Sequence, residues 1–536
     1  MIRVVKGLLV VGVSVAVLVS APRAQTSAIQ AASKTLSVDT IFSLRVTGAG
    51  SNFTVGQAFT SGAEWPRIAV KSYTAWTNYD TGISRVDLVR EMLTPPAPGG
   101  GVTFAGEQTQ NLFVSGNYAW NGFPPPPPAP EGDGRAGGPG GGRGGGRAGA
   151  PGGEGGQPAR GGGRGEAQPA AVPPGPGPQP GAVVIERRLA LWATPHGFLK
   201  AAADPANKAT TRRVGGSTEV SLTIDGKYRM TGMINSTNEV ASVRTWIPNP
   251  VMGDMVVETT YSDYRDFGEV RYPSRVVQRQ GGQPALELTV SAVERNPNVS
   301  FVIPGSVHLA PTTPAPVTVA SQEVAPGVFY LTGGSHHSVA IAQRDHIVLI
   351  DLPQSIERGE AVLAKTKELI PNKPVRFVIN THAHFDHTGG LRAAVAEGAT
   401  IVTHQSNQSF LQSALSAPRT LQPDRAATRP VKVQGVAARH EMSDGSRRIQ
   451  LHQITNNRHA VGFLMVYLPT EKILVEADAY SPAAAGAPAP TTPNLLARAL
   501  ADDVGRLKLD VAQILAMHGP RVATMADLKA VAAVGQ

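Results

Sequence analysis

"VRFVINTHAHFDHTGGLRAA" (residues 375–394) decides how the C-terminal part of this chain is read. Val375 to Asn380 is a short apolar run, right for a buried strand and too short for a helix. After the glycines, "GGLRAAVAEG" reads as the start of a helix. Between the two, His382, His384, Asp386 and His387 crowd into six positions of a 536-residue chain that has 13 histidines. Strand, loop, helix puts the cluster at the carboxyl end of a strand, where α/β domains build sites. In a locally extended segment His382 and His384 point the same way and can share one ion. Asp386 and His387 are then offset towards a second. The chain has no cysteine, so any metal must be held by imidazole and carboxylate. That donor set favours zinc, with iron and manganese as alternatives.

The surrounding sequence keeps the same grammar. "VFYLTG", "SVAIA" and "HIVLIDL" are apolar runs ahead of the cluster, followed by the helical stretch "SIERGEAVLAKTKELI". Buried strands alternating with helices predict a layered α/β domain over residues 323–536. A histidine-rich surface loop is the bland alternative for the cluster, and its strand–loop–helix setting argues against that.

His382-Ala-His384-Phe-Asp386-His387, with Thr381 before it and Gly389-Gly390 after, resembles the metal signature of the metallo-β-lactamase superfamily. The resemblance covers roughly residues 323–536 and implies an αββα sandwich. It also implies a histidine ahead of a later strand, an acid after the next strand, and a late His-Gly pair. His459 ahead of "FLMVYLP", Asp478 after "KILVEA" and His518-Gly519 after "DVAQILAM" match. His452 competes with His459 but sits inside the alternating run "RRIQLHQI". By this resemblance two divalent metal ions, zinc first, would bind. His382, His384 and His459 would hold one ion and Asp386, His387 and His518 the other, with Asp478 bridging and Asp386 counted as catalytic. His336, His337 and Tyr480 are neighbours that could line the cleft, and His404 could support it from behind.

What the resemblance implies for activity is a metal-dependent hydrolase, with water activated between the ions and attacking an ester, lactone or thioester carbonyl of a small molecule. A β-lactam amide is the alternative substrate. Asp478 counts against it, since true metallo-β-lactamases resemble this chain at the histidines but usually place Cys or Ser there. A different class of reading makes the chain a lipid or hydrophobic-ligand binder with a vestigial metal domain. Competent residues at all seven expected positions argue against that.

The rest of the chain is read from composition. Arg3 and Lys6 precede an apolar run from Leu8 to Ala21, the layout of a signal peptide over residues 1–24. The run is short of the ~20 residues of a membrane span, and no later stretch is long enough. The expectation is a periplasmic or secreted protein. Residues 123–181 are almost wholly Pro, Gly, Ala and Arg and are expected to be disordered. The flanking segments, 36–122 and 182–310, alternate apolar and polar residues, predicting one antiparallel β-rich domain, with "RRLALWATPHGFLKAAA" as its one helix. "LTIDGKYRM" is a hairpin signal. His196 stands alone there and reads as packing. Residues 311–322 read as a linker. The net charge of +9 suggests a weak preference for anionic surfaces, and export makes nucleic acid an unlikely partner.

Overall fold

A computed structural model describes residues 22–101, 104–122, 181–311, 315–488 and 490–534. The expected signal peptide therefore lies outside the described residues except at Pro22 to Ala24, which begin a helix, Pro22–Thr35. The expected disordered tract lies outside them too, except for Gly181, where another helix starts.

The N-terminal region is a 12-stranded antiparallel sheet made of two meanders. Five strands from Ser43–Phe53 to Tyr118–Gly122 step outward in one direction, and seven from Thr210–Val214 to Gln283–Arg295 step back from the other edge. The first and last strands close the seam, pairing Val46 with Val293 and Ser51 with Glu287. Alternation fixes the facing, since in Ser217–Ile224 every second residue is buried: Thr218, Val220, Leu222 and Ile224. The hairpin after it turns at Asp225 and Gly226, both with positive φ (52° and 66°), in a three-residue connection that pairs Ile224 with Tyr228.

Helices cover one face of this sheet. Leu189, Phe198 and Leu199 pack with Val220, Met230 and Val243, joined by Ala32 of the helix at residues 22–35 and by Leu36 just past its end. The single helix expected around residues 187–203 is two, Gly181–Ala193 and Pro195–Ala203. Pro195 has no N–H to continue the first helix and suits the first turn of the second. The Thr194 hydroxyl caps that turn by accepting from Gly197 N. His196 is fully buried, its Nε2 3.0 Å from the Leu36 carbonyl.

The C-terminal region holds two mixed sheets with helices. A 7-stranded sheet begins at Ala320–Ala325, inside the expected linker, with three antiparallel pairings followed by three parallel ones. A 5-stranded sheet, Arg439–Ser443 to Gln513–Ala516, ends in one parallel pairing. Val348, Ile350 and Val402 of the first sheet share a core with Ile449, Leu464 and Val466 of the second. Their neighbours Leu349, Val378 and Ile401 face the other way, against Leu363, Leu391 and Leu411 of three helices. Among the described residues no helix is long and apolar enough to cross a membrane.

The two regions touch along a polar seam. Asp254 of the large sheet accepts from the Thr420 backbone N–H (2.8 Å) and hydroxyl (2.6 Å). A second seam lies at the histidine loop.

Candidate metal centre

The strand Val375–Ile379 lies between two parallel neighbours, Ile347–Ile350 and Thr400–His404. The chain leaves its carboxyl end through Thr381, whose N–H and hydroxyl both bind the Asp351 carboxylate (2.8 and 2.7 Å). His382 and His384 follow, His384 in extended backbone. His384 then starts a single helical turn, Phe385–Thr388, which carries Asp386 and His387. The two glycines after it permit close packing: a Cβ on Gly389 would sit 2.1 Å from the Gln354 carbonyl oxygen. The backbone therefore sends the first two histidines one way and the Asp-His pair another.

Distant strand ends complete two groups. The first is His382, His384, His459 and Asp478. His382 Nε2 is 2.9 Å from His384 Nδ1 and 3.2 Å from His459 Nε2. The second is His336, Asp386, His387 and His518, with His387 Nε2 3.1 Å from His518 Nε2. Asp478 stands between them. Its Oδ2 is 2.7 Å from His459 and 3.2 Å from His382, while its Oδ1 is 2.6 Å from His518 and 3.0 Å from His387. One carboxylate thus turns one oxygen to each group.

The electrostatics suit cations. Burial pushes His382 down to about 4, with nearby His387 adding to the shift, and burial also holds His384 well below the ordinary range. Both shifts favour the neutral imidazole, the form that ligates a metal ion. Burial alone would raise Asp478, but His387 and the hydrogen bonds from His382, His387 and His459 keep it well below the usual carboxylate range. Imidazole nitrogens that face one another around a shared carboxylate, out of water, make a donor set that divalent ions would satisfy.

All seven expected positions come together. His452 does not: its Nε2 lies 3.4 Å from Gln450 in its own strand. His404 caps the helix Gln405–Ser416, accepting from Ser406 N. Tyr480 is 2% exposed within the core cluster. His337 braces the late histidine turn through Gly519 O (2.8 Å).

Four participants are not evident from the motif. His336 joins the second group with Nε2 3.1 Å from Asp386 Oδ2. Ser335 lies 2.9 Å from its Nδ1 and accepts from Gln354. Asp351, fully buried, lies 3.0 Å from His387 Nδ1. Gln57, from the N-terminal sheet, donates to Asp386 Oδ1 at 2.9 Å. The available signals were the doubled histidine in "GGSHHSV" and an aspartate ending the apolar run "HIVLID". Nothing marks Gln57.

A third set of possible ligands, Asp345, His346 and Asp444, is engaged by protein donors. Asp444 takes the Ser446 N–H and hydroxyl (2.8 and 2.6 Å), and Asp345 faces Arg376.

A sequence model described as "Metallo-beta-lactamase superfamily" matches residues 331–475, a span that includes His382 to His387 and His459 but stops short of Asp478 and His518. No curated protein matches the chain significantly. Among solved structures, a metallo-beta-lactamase from Pontibacter korlensis is 18% identical, covering 41% of this chain and 100% of its own, with a TM-score of 0.32. The metallo-beta-lactamase FIM-1 from Pseudomonas aeruginosa, in its mono-zinc form, is also 18% identical, covering 41% of this chain and 96% of its own, with a TM-score of 0.32. With the family match and the ligand geometry taken together, the C-terminal region of this chain is a metallo-β-lactamase superfamily domain.

Proposed function

We propose that the protein is an exported hydrolase that uses two divalent ions, zinc first, on an ester, lactone or thioester carbonyl of a small molecule. The observation that carries this is Asp478, one oxygen towards each of two complete ligand groups. Bound ions supply a Lewis acid and bring water to a nucleophilic state near neutral pH. The residues do the rest. His382, His384 and His459 would hold one ion, and Asp386, His387 and His518 the other. His336, with a nitrogen on Asp386, is placed to hold or move a proton at that carboxylate. The carboxylate at 478 favours these carbonyl substrates over a β-lactam amide. The test is metal content of the purified protein together with a chelator-sensitive screen of esters, lactones, thioesters and cephalosporins. Fewer than two ions per chain, or turnover of cephalosporins alone, counts against the reading.

One feature favours a second reading, binding of a hydrophobic ligand by the N-terminal sheet. A cavity of about 490 Å³ lies between the sheet and the helix Gly181–Ala193, walled by Leu44, Val86, Leu112, Val276 and Leu286, with Glu186 at its edge. Its volume is within the ~300–1,000 Å³ of ligand pockets. It ranks second because the metal centre is complete. Failure of an apolar fluorescent dye to bind the full-length protein would remove it.

A further inference from the structure

The N-terminal sheet reaches the metal centre chiefly through the loop of residues 54–66, between the strands Ser43–Phe53 and Arg67–Asn78. Thr54 N closes the loop on Pro66 O (2.9 Å). Its carbonyls then meet the histidine motif in register. Gly56 O accepts from Phe385 N (3.1 Å), Ala58 O lies 3.1 Å from His384 Nε2, and Phe59 O accepts from Val461 N (2.7 Å), two residues past His459. Gln57, between the first two, sends its side-chain amide to Asp386.

Glycines make this approach possible. Gly56 has φ +80°, and a Cβ there would lie 2.3 Å from the Phe385 ring. From a second loop, Gly100 donates to Gln57 O (3.0 Å), and a Cβ on it would lie 2.1 Å from Gln57 Oε1 and 2.5 Å from His384 Cε1. Beside it Gly99 N donates to Arg458 O (2.8 Å), next to His459. The N-terminal region thus contacts His384, Asp386 and the approach to His459 together.

Two of these contacts have chemical consequences. A carbonyl can only accept, so Ala58 O requires the proton of His384 on Nε2. That leaves the Nδ1 lone pair facing His382 and the first group. The Gln57 amide can only donate through nitrogen, so it occupies Oδ1 of Asp386, while His336 sits on Oδ2. Asp386 is partly exposed near the start of a single helical turn, and these two partners are what hold its side chain in place.

We infer that the loop 54–66 of the N-terminal sheet is a working part of the metal centre, with Gln57 the positioning residue that orients Asp386 for the second ion and the Ala58 carbonyl setting the ligating nitrogen of His384. This rests on the reading of Asp386 as a ligand of a second ion. The sheet is thereby tied to the chemistry of the C-terminal domain, and its Gln57 acts through another residue.

The test uses the full chain, titrated with Zn²⁺ and with Co²⁺ against a competing chelator. Gln57→Met keeps the length of the side chain and removes the donor. It should weaken the second ion by about 10- to 100-fold, as loss of an outer hydrogen bond to a ligand does. The first ion should bind as in the parent, the cobalt absorption bands of the second site should shift, and the melting point without metal should not move. Gly100→Ala, whose Cβ would crowd both the Gln57 side chain and the His384 ring, should weaken both ions. Gln283→Met removes a different contact to this loop, on Gly62 O (2.7 Å), and should bind both ions normally. Parent-like affinity and spectrum in Gln57→Met overturn the inference, as does an equal loss in Gln283→Met, which would mean general loosening of the loop. A parent protein that takes up fewer than two ions, or an Asp386→Ala variant that keeps both, overturns instead the reading on which the inference stands.

Discussion

The carboxylate of Asp351 lies 3.0 Å from Nδ1 of His387, and both side chains are fully buried. Asp351 also takes the N–H and hydroxyl of Thr381, and a carboxylate so engaged accepts from the imidazole at Nδ1 as well. Holding Nδ1–H on Asp351 turns Nε2 of His387 towards Asp478 and His518. Asp351→Asn would turn a donor towards that nitrogen and favour the wrong tautomer. The second ion should bind about 10- to 100-fold more weakly, read by chelator competition. Unchanged affinity would mean that the histidine is oriented by other contacts.

Asp478→Asn keeps the shape of the bridge and removes its charge and one acceptor oxygen. Asparagine cannot offer an oxygen to both groups, and the repulsion of two ions at the ~3.5–4 Å of two-metal sites goes uncompensated. Occupancy should fall from two ions to one, with circular dichroism unchanged. Elemental analysis decides it, and two retained ions would refute the bridging role.

His459 and His452 separate cleanly by geometry, the first 2.7 Å from Asp478 and the second bound within its own strand. His459→Ala should lose the first ion, whereas His452→Ala should keep both. The opposite pattern on equilibrium dialysis would show that the wrong histidine has been placed in the group.

His196 predicts a pH effect on the N-terminal region. Burial pushes its imidazole down to about 4, with Lys200 adding to the shift and the Leu36 carbonyl opposing it. The unfolded chain takes up this proton near pH ~6.5. Between those values unfolding binds a proton, so the contribution is complete above about pH 6.5 and is lost as pH falls towards 4. The loss amounts to roughly 3 kcal/mol at ~1.4 kcal/mol per unit. All five tryptophans lie between Trp65 and Trp246, so their fluorescence during urea unfolding reports this region. His196→Gln should flatten the pH dependence over that range, and an unchanged slope would locate the effect elsewhere.

Much of this architecture was written locally. Val220, Leu222 and Ile224 alternate because a strand turns every second side chain to the same face, and the structure buries that face. The break at Pro195 was equally local, yet the continuous apolar periodicity across residues 187–203 hid it. Leu189 and Phe198 enter the same core from two separate helices.

The sequence by itself determined which side chains meet at the candidate centre. His382, His384, Asp386 and His387 are fixed relative to one another by a few backbone torsions, and His459, Asp478 and His518 each stand beside a strand end that apolar pattern marks. Tertiary structure alone decided what surrounds them. Asp351, His336 and Gln57 reach the site across 36, 50 and 329 residues of chain. A linear pattern records which face a side chain turns and where an element ends. It carries no record of which distant loop arrives against that face, because that depends on how whole sheets pack, and so the partner of Asp386 from the other region emerged only once both sheets were in place.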